Sequence, residues 1–289
     1  MGAPGVTLAA LMAIRLAAFD VDGTLLDPYG KLTDAVCEAV ASLRRAGVAV
    51  VLCTGRRFRT SLPVAQRLGL SGPIVCNNGV LVKDLDSGKT LQHRYLPREL
   101  FGEVLALMRA TAPPMVYVDD YHEGTDLITE CVESAHEFQR EYLADNTEFS
   151  RVVEDLAAAP PEEVIMMSAM ADAETLSALR ARALAALGDR VRTHSLINKN
   201  YRGSILEFLS PASGKWSALQ RLAEGMGVVP HEIAAVGDDS NDADMIRHAG
   251  LGIAMGNAVD AAREHADRVV RSNAEGGALE AIEQVLLAR

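Results

Sequence analysis

The amino-acid sequence predicts an α/β fold: a parallel sheet between two layers of helices, interrupted by a second, α+β domain. Continuous apolar runs, such as residues 48–53, are typical of strands buried on both faces. These strands alternate with helical patterns, which indicates βαβ units and a parallel sheet. The 289 residues suffice for about two domains. We therefore expect a discontinuous, Rossmann-like three-layer core at residues 12–82 and 211–289, with residues 83–210 inserted into it.

The first part of the core shows a clear order of elements. Residues 15–21 predict a short buried strand that ends in a glycine-containing loop. Residues 33–46 have the apolar spacing of a helix, with Thr33 as a plausible N-cap and Gly47 just beyond its end. Three further elements alternate in type: a strand at 48–53, a helix at 59–68 and a strand at 73–76.

The inserted segment has shorter strands that polar residues interrupt, which predicts a sheet with one exposed face. Its predicted helices lie at 98–110, 132–143 and 173–187, and its predicted strands at 115–118, 164–169, 191–195 and 204–209. The alternation typical of the core returns after Lys215. It comprises a helix at 218–226, a strand at 233–236, a helix at 242–249, a strand at 252–254 and a helix at 277–287.

Composition excludes several classes of partner. With 28 basic and 39 acidic side chains the net charge is −11, which argues against broad binding to nucleic acid or anionic membranes. Four widely spaced cysteines fit a reduced compartment. Residues 1–16 lack a basic amino-terminal region, so we expect a frayed tail rather than a signal peptide, with Met12 as an alternative start. The expectation is a cytoplasmic monomer or homodimer.

Four polar motifs stand where predicted core strands end or helices begin, the edge at which open α/β sheets place their sites. They are Asp20-Val21-Asp22-Gly23-Thr24, Thr54-Gly55-Arg56, Lys215, and Gly237-Asp238-Asp239-Ser240-Asn241-Asp242. Hydroxyl and amide groups beside a glycine can hold a phosphate oxygen, and clustered carboxylates suit Mg²⁺. Taken singly, the first two motifs are more often ordinary turns and the lysine is more often solvated surface, while the fourth is as often a helix cap.

Two other ion or phosphate sites fit less well. An EF-hand calcium loop needs glycine at its sixth position, whereas Gly23 stands at the fourth. A Walker phosphate loop is excluded because Trp216 follows Lys215 where a serine or threonine is required.

In this order, the four motifs resemble those of the haloacid dehalogenase (HAD) superfamily of phosphohydrolases, and more closely its Cof-type sugar-phosphatase branch with a C2-type (IIB) cap. The resemblance covers nearly the whole chain from Met12 and includes Asn78-Gly79 and residues 250–258. The 161 residues from Thr54 to Lys215 fit a cap inserted between the second and third motifs. Relatives usually have Val-Ser-Lys where this chain has Ser213-Gly214-Lys215, but the lysine is retained.

The resemblance implies Mg²⁺-dependent hydrolysis of small phosphorylated metabolites through an aspartyl-phosphate. It implies Asp20 as the nucleophile, Asp22 as general acid and then base, and Lys215 as a second positive charge. The implied metal-binding residues are Asp20, Asp22 (through its main-chain carbonyl), Asp238 and, through water or from behind the ligands, Asp242. The implied phosphate- and substrate-binding residues are Val21, Thr54, Gly55, Arg56, Asn78, Lys215 and Asn241.

Several points stay open at this level. The cap is expected to select the substrate. The candidate selectors, each of a kind that is more often a solvated loop residue, are Asp119, Asp120, Tyr121, His122 and residues 198–202. Arg56 either neutralises phosphate or pairs with a local carboxylate. Two alternative functions also remain, namely a phosphotransferase or mutase on the same site and a catalytically silent sensor of phosphorylated metabolites.

Overall fold

The structure, a computed structural model, describes residues 14–130, 135–198 and 203–287. Three predictions fall wholly or partly outside these residues: the amino-terminal tail, the first residues of the helix predicted at 132–143, and residues 199–202 of the candidate selectors. Among the described residues, no helix has both the length and the apolar character needed to cross a membrane. The described strands form three sheets, of five, six and three strands.

The five-stranded sheet is parallel and forms the centre of the core. Its strands are β1 (Leu16–Phe19), β2 (Ala49–Leu52), β12 (Ile233–Gly237), β13 (Leu251–Ala254) and β14 (Arg268–Val269). Their spatial order is β14-β13-β12-β1-β2. Every residue of β1 and β12 is buried, as expected for apolar strands covered by helices. Because β1 and β12 are parallel neighbours, the loops that follow them lie side by side at the carboxyl edge of the sheet.

Helices pack around this sheet. They are α1 (Asp34–Arg45), α2 (Phe58–Arg67), α6 (Lys215–Gly225), α7 (Ala243–His248), α8 (Asp260–Arg263) and α9 (Gly277–Leu279), which a wide helical turn at Glu280–Leu286 extends. The predicted N-cap of α1 is confirmed, because Thr33 Oγ1 accepts a hydrogen bond from the Val36 N–H at 3.3 Å. Gly47, just beyond the helix, has a left-handed φ of 86° that favours glycine.

The strand at 73–76 exists, but its assignment to the parallel sheet is wrong. It is β3 (Pro73–Cys76) of an antiparallel sheet with β4 (Leu81–Asp84) and β5 (Thr90–His93), two strands that the polar turn-like sequence did not predict. Asn77 and Asn78 adopt left-handed φ angles of 49° and 55°, which asparagine tolerates better than most residues. The chain therefore reverses after β3, and a single parallel bridge, Cys53 to Val75, joins β3 to the end of β2.

The inserted segment forms the six-stranded sheet. Its strands are β6 (Met115–Val118), β7 (Leu127–Thr129), β8 (Ser150–Val152), β9 (Val164–Ala171), β10 (Arg192–Asn198) and β11 (Gly203–Leu209), in the order β10-β11-β9-β6-β7-β8. Its helices are α3 (Arg98–Arg109), α4 (Glu137–Asp145) and α5 (Ala173–Leu187). The short strands β7 and β8 were not predicted. The α+β character predicted for this segment is confirmed.

The predicted exposed face of this sheet is not present in its centre, because all eight residues of β9 are buried. One face, with Met167 and Leu206, belongs to the same buried cluster as residues of α3 and α5. The other face carries Met166 and Leu209, which belong to one continuous cluster with core residues such as Phe19. The second face is therefore covered by packing against α4 and the core, which the sequence of the strands alone does not indicate.

The chain enters and leaves the inserted segment at one place. Gly79 has a φ of 81°, and a Cβ built on it would lie 2.1 Å from the Gly214 carbonyl oxygen. The two backbones therefore touch, one residue before Lys215. The domain bounds given above (12–82, 83–210, 211–289) remain a prediction.

Candidate active site

Lys215 joins two carboxylates at the carboxyl edge of the central sheet. Its Nζ lies 2.6 Å from Asp20 Oδ1, just after β1, and 2.6 Å from Asp242 Oδ1, just before α7. All three side chains are buried. Burial raises the pKa of Asp20, against the opposing charge of Lys215. Burial alone would lower the pKa of Lys215, but the charges of Asp20 and Asp242 raise it above its usual value, so this lysine stays charged.

Asp242 is held from two sides. Its Oδ2 accepts hydrogen bonds of 3.0 Å from the main-chain N–H groups of Asp238 and Asp239, while Oδ1 contacts Lys215. A Cβ at Gly237 would lie 2.5 Å from Asp242 Cγ, so glycine is needed for this close approach. With both oxygens engaged, Asp242 shapes the loop that presents Asp238.

Asp238 faces the loop that follows β1. It accepts a hydrogen bond of 2.9 Å from Thr24 Oγ1 and one of 3.2 Å from Asn257 Nδ2. Gly23 has a φ of 80°, and a Cβ there would lie only 2.1 Å from Asp238 Oδ2. Burial, and then the neighbouring Asp242 charge, raise the pKa of Asp238 to about 7. A nearby cation would therefore favour the ionised form of this carboxyl group.

The acidic cluster fits a hard divalent cation. One carboxylate oxygen from each of Asp20, Asp238 and Asp242 lies within 4.8 Å of the others. Oxygen donors of this kind suit Mg²⁺, which takes a few protein ligands and completes its shell with water and phosphate. The cluster has three carboxyl groups and the single positive charge of Lys215, a surplus of acidic groups that suits a cation site.

Asp22 lies at the exposed side of the site and is paired with Arg56. Its two carboxylate oxygens are each 2.6 Å from the guanidinium, at Nε and Nη2. The Asp22 side chain is 59% exposed and that of Arg56 29%. The hydrogen bond to Asp22 raises the pKa of Arg56. Of the two roles left open for Arg56, the structure displays the pairing with a carboxylate.

The predicted phosphate-binding loops converge. Thr54 is buried, and its Oγ1 accepts a hydrogen bond of 3.1 Å from the Arg56 N–H. Asn241 Nδ2 donates to Asn78 Oδ1 at 2.8 Å, and that oxygen lies 3.0 Å from the position of a Cβ on Gly55. Loops after β2, β3 and β12 thus meet around one amide. Val21 is fully buried, and its predicted role in binding phosphate stays a prediction.

The carboxylate of Asp119, a candidate selector, is already engaged by other side chains of the protein. It accepts hydrogen bonds from Lys83 Nζ at 2.5 Å, from Tyr95 Oη at 2.9 Å and from Thr90 Oγ1. Its side chain is buried, and these contacts make it a structural residue just after β6. Burial of such a carboxylate requires these hydrogen bonds.

Tyr121, another candidate selector, packs on the amino-terminal turn of α2. Its ring lies edge-on to Phe58, with a centroid distance of 4.8 Å, and the Arg59 guanidinium lies 4.8 Å from its centroid. Asp120 and His122 stand beside it in the same turn. These residues therefore join the cap to the core beside the predicted phosphate loops.

Two contacts between the sheets were not predicted from the sequence. Asp126, before β7, pairs with Arg57 at 3.4 Å and Arg59 at 2.8 Å. Glu207, in β11, accepts a hydrogen bond of 2.9 Å from Asn78 Nδ2. The signal for Glu207 was its position as the one charged residue in an apolar strand. Both contacts bring together residues far apart in the chain, which local patterns cannot reveal.

Comparison with known proteins gives the same assignment as the motifs. Residues 17–282 match the sequence profile of a family described as haloacid dehalogenase-like hydrolase. The chain is 32% identical over 251 residues to the HMP-PP phosphatase of Serratia proteamaculans, covering 85% of each chain. It is 28% identical over 269 residues to the 5-amino-6-(5-phospho-D-ribitylamino)uracil phosphatase YitU of Bacillus subtilis, covering 91% of this chain and 94% of that one.

A solved structure has the same fold. It is the HAD subclass IIB sugar phosphatase BT4131, to which this chain is similar with a TM-score of 0.76 at 20% identity, covering 93% of this chain and 98% of the other. The similarity extends over both the five-stranded and the six-stranded sheets. The predicted α/β fold with an inserted α+β cap is therefore confirmed.

Proposed function

Because this chain belongs to the haloacid dehalogenase-like hydrolase family, we propose that it is a Mg²⁺-dependent phosphatase of small phosphorylated metabolites. We propose sugar phosphates as the substrates and an aspartyl-phosphate on Asp20 as the intermediate. The observation that carries the proposal is the buried contact of 2.6 Å between Lys215 Nζ and Asp20 Oδ1 beside two further carboxylates. The phosphatase names of relatives that the chain matches nearly end to end support it.

In the first step of the proposed reaction, an oxygen of Asp20 attacks phosphorus and the bond to the leaving alcohol breaks. Asp22 gives its proton to the departing oxygen, which avoids the release of a strongly basic alkoxide. Lys215 holds Asp20 in place and offsets the charge of the incoming phosphate. Thr54, Gly55 and Asn241 hold the phosphoryl oxygens, since this chemistry depends mainly on positioning and charge stabilisation.

In the second step Asp22, now a carboxylate, takes a proton from water, and the water oxygen attacks phosphorus. The bond from phosphorus to Asp20 breaks, so that phosphate leaves and both carboxyl groups return to their first state. Asp20, Asp238 and the main-chain carbonyl of Asp22 would hold Mg²⁺, with Asp242 behind them. The ion, when bound, neutralises the repulsion between the anionic nucleophile and the anionic phosphate.

Phosphate release from p-nitrophenyl phosphate and a panel of sugar phosphates, with Mg²⁺ or with a chelator, tests the proposal. We expect Mg²⁺-dependent turnover that Asp20→Asn abolishes and that Asp34→Asn, at a fully exposed position in α1, leaves intact. Equal rates for the wild-type protein and Asp20→Asn would reject Asp20 as the nucleophile. Transfer to a second sugar in preference to water would favour a mutase, and binding without turnover across the panel would favour a sensor.

We also propose that the enzyme works in the cytoplasm. The three described cysteines, Cys37, Cys53 and Cys76, are free thiols, which suits a reducing compartment. Detection of the tagged protein in the soluble cytoplasmic fraction of cells tests this location, and recovery from the periplasm would reject it.

A further inference from the structure

Glu207 is a buried carboxylate on the cap that contacts the core directly. Its side chain is 8% exposed, and Oε2 accepts the hydrogen bond of 2.9 Å from Asn78 Nδ2. The same oxygen lies 3.3 Å from His194 Nδ1 on the neighbouring strand β10. Within residues 14–130, 135–198 and 203–287, no lysine or arginine lies within 4.0 Å of this carboxylate. Burial of a carboxylate costs free energy unless hydrogen bonds compensate for the lost solvation. The hydrogen bond from Asn78 is therefore expected to have a specific role.

The position of Glu207 in its strand points it at the core. Side chains alternate between the two faces of β11, and Ile205 and Leu209 belong to the buried cluster that includes core residues. Leu206 and Phe208 belong to the cluster on the other face. Glu207 therefore lies on the core-facing side, where its paired neighbours on the adjacent strands are His194 and Ser168.

The polarity of Glu207 determines how the amide of Asn78 is oriented. An ionised carboxylate can only accept hydrogen bonds, so Asn78 must turn its NH₂ group toward Glu207. Asn78 Oδ1 then faces the other way, where it accepts the hydrogen bond of 2.8 Å from Asn241 Nδ2. The chain of bonds runs from Glu207 through Asn78 to Asn241, and it crosses from the cap to a loop of the core.

Asn78 also contacts the second phosphate loop. Its N–H donates to the Thr54 carbonyl at 3.1 Å, and its side-chain oxygen packs against Gly55. One amide thus touches the loop after β2 and the loop after β12. An error in its orientation would present an NH₂ group to the NH₂ group of Asn241 and would displace that side chain.

On these contacts, and resting on the proposed function, we propose that Glu207 is a positioning residue. Through it the closed cap fixes the amide of Asn78 and, through Asn78, that of Asn241. An amide has two N–H donors, and the bond to Asn78 uses one, which leaves the second to hold a phosphoryl oxygen. The contact from the cap therefore completes the phosphate site, because it orients both amides.

Exchanging the amide of Asn78 and the carboxylate of Glu207 between the two positions tests the proposal with little change in side-chain shape. Asn78→Asp alone places two carboxylates against each other, and we expect it to lower kcat at least about 100-fold. Asn78→Asp with Glu207→Gln restores both bonds. The introduced amide can donate to one oxygen of the introduced carboxylate, while the other oxygen of that carboxylate still accepts from Asn241. We expect this double variant to be at least about 10-fold more active than Asn78→Asp.

Asp126→Asn is the matched control. It also removes one cap carboxylate that contacts the core, at Arg57 and Arg59, but it does not touch Asn78. We expect that adding Asp126→Asn to the Asn78→Asp variant restores no activity. A recovery with Asp126→Asn as large as that with Glu207→Gln, or none with Glu207→Gln, would overturn the proposal.

Two readouts separate positioning from a merely structural role. The loss and the recovery should be the same for p-nitrophenyl phosphate and for a sugar phosphate, because the phosphoryl group is what they share; a factor that differs with the leaving group contradicts the proposal. Binding of inorganic phosphate with Mg²⁺, measured by calorimetry, should follow the same order of variants. If phosphate binding follows this order of variants but the wild-type protein hydrolyses no ester, the proposed function is rejected and the positioning role of Glu207 is retained.

Discussion

Asp22 and Arg56 form a two-pronged ion pair at the rim of the site, with both oxygen-to-nitrogen distances at 2.6 Å. The carboxyl group proposed to act as the acid therefore has a cationic partner in this structure. A phosphate that enters the site would compete with Asp22 for the same guanidinium.

The dependence on the leaving group tests the role of Asp22. Asp22→Asn should lower kcat for a sugar phosphate by about 100-fold or more, since its poor leaving group needs a proton. The first step with p-nitrophenyl phosphate should survive, because p-nitrophenolate leaves without one. We expect a burst of about one equivalent of p-nitrophenolate followed by slow turnover, measured by stopped-flow absorbance. A linear time course at the wild-type rate would contradict this role.

Removal of the buried cation should destabilise the metal-free protein. Lys215→Met leaves Asp20 and Asp242 facing each other without a counter-charge, and such losses typically cost about 3–5 kcal/mol in the free energy of unfolding. Urea denaturation with a chelator present measures the change. Asp20→Asn in the same protein should recover part of the loss, because it removes one of the two unpaired charges. No difference between wild type and Lys215→Met would argue against a charged Lys215.

The pH dependence of Mg²⁺ binding should follow Asp238. In the metal-free fold its pKa is raised from 3.8 to about 7, so its contribution to stability is present below pH about 4 and is lost as the pH rises through about 7. Mg²⁺ binds the ionised form, so its affinity should rise up to about 10-fold per pH unit below 7 and then level off. Thermal unfolding with and without Mg²⁺ measures this, and Asp238→Asn should remove the part of the pH dependence that Asp238 contributes.

Alanine variants of two glycines separate a steric effect at the site from the strain of a left-handed backbone conformation. Gly23 and Gly30 have similar φ angles of 80° and 74°, but a Cβ on Gly23 would strike Asp238 and one on Gly30 would meet nothing within 4 Å. Both alanine variants should lose about 1–2 kcal/mol in stability. We expect Gly23→Ala to lose most of its Mg²⁺-dependent activity as well. Retention of full activity in Gly23→Ala would show that Asp238 need not approach this loop.

Elements with strong local signals could be predicted from the sequence. The strand at 115–118 and the helix at 173–187 have the predicted bounds, and the helix after Thr33 begins at its predicted cap. In each case the signal, an apolar run or a capping side chain, lies within the element. The positions of the four motifs followed from the same logic, because parallel strands bring their carboxyl ends to one edge.

Contacts between distant segments could not be predicted in this way. The reversal at Asn77 and Asn78 depends on two left-handed residues, and it moved β3 into another sheet. Asp119 looked like a loop residue, yet Lys83, 36 residues away, holds it in the interior. The contact between Glu207 and Asn78 spans 129 residues. Such pairs depend on how the two sheets pack, which no single strand encodes.

The contact between the Gly79 and Gly214 backbones also bears on how this fold can change over evolutionary time. Because the inserted segment departs and returns at the same point, it can lengthen, shorten or be replaced without separating the loops that are proposed to carry the chemistry. The same core domain can thus be combined with different caps. This arrangement requires glycine at position 79, because any side chain there would force the two backbone segments apart.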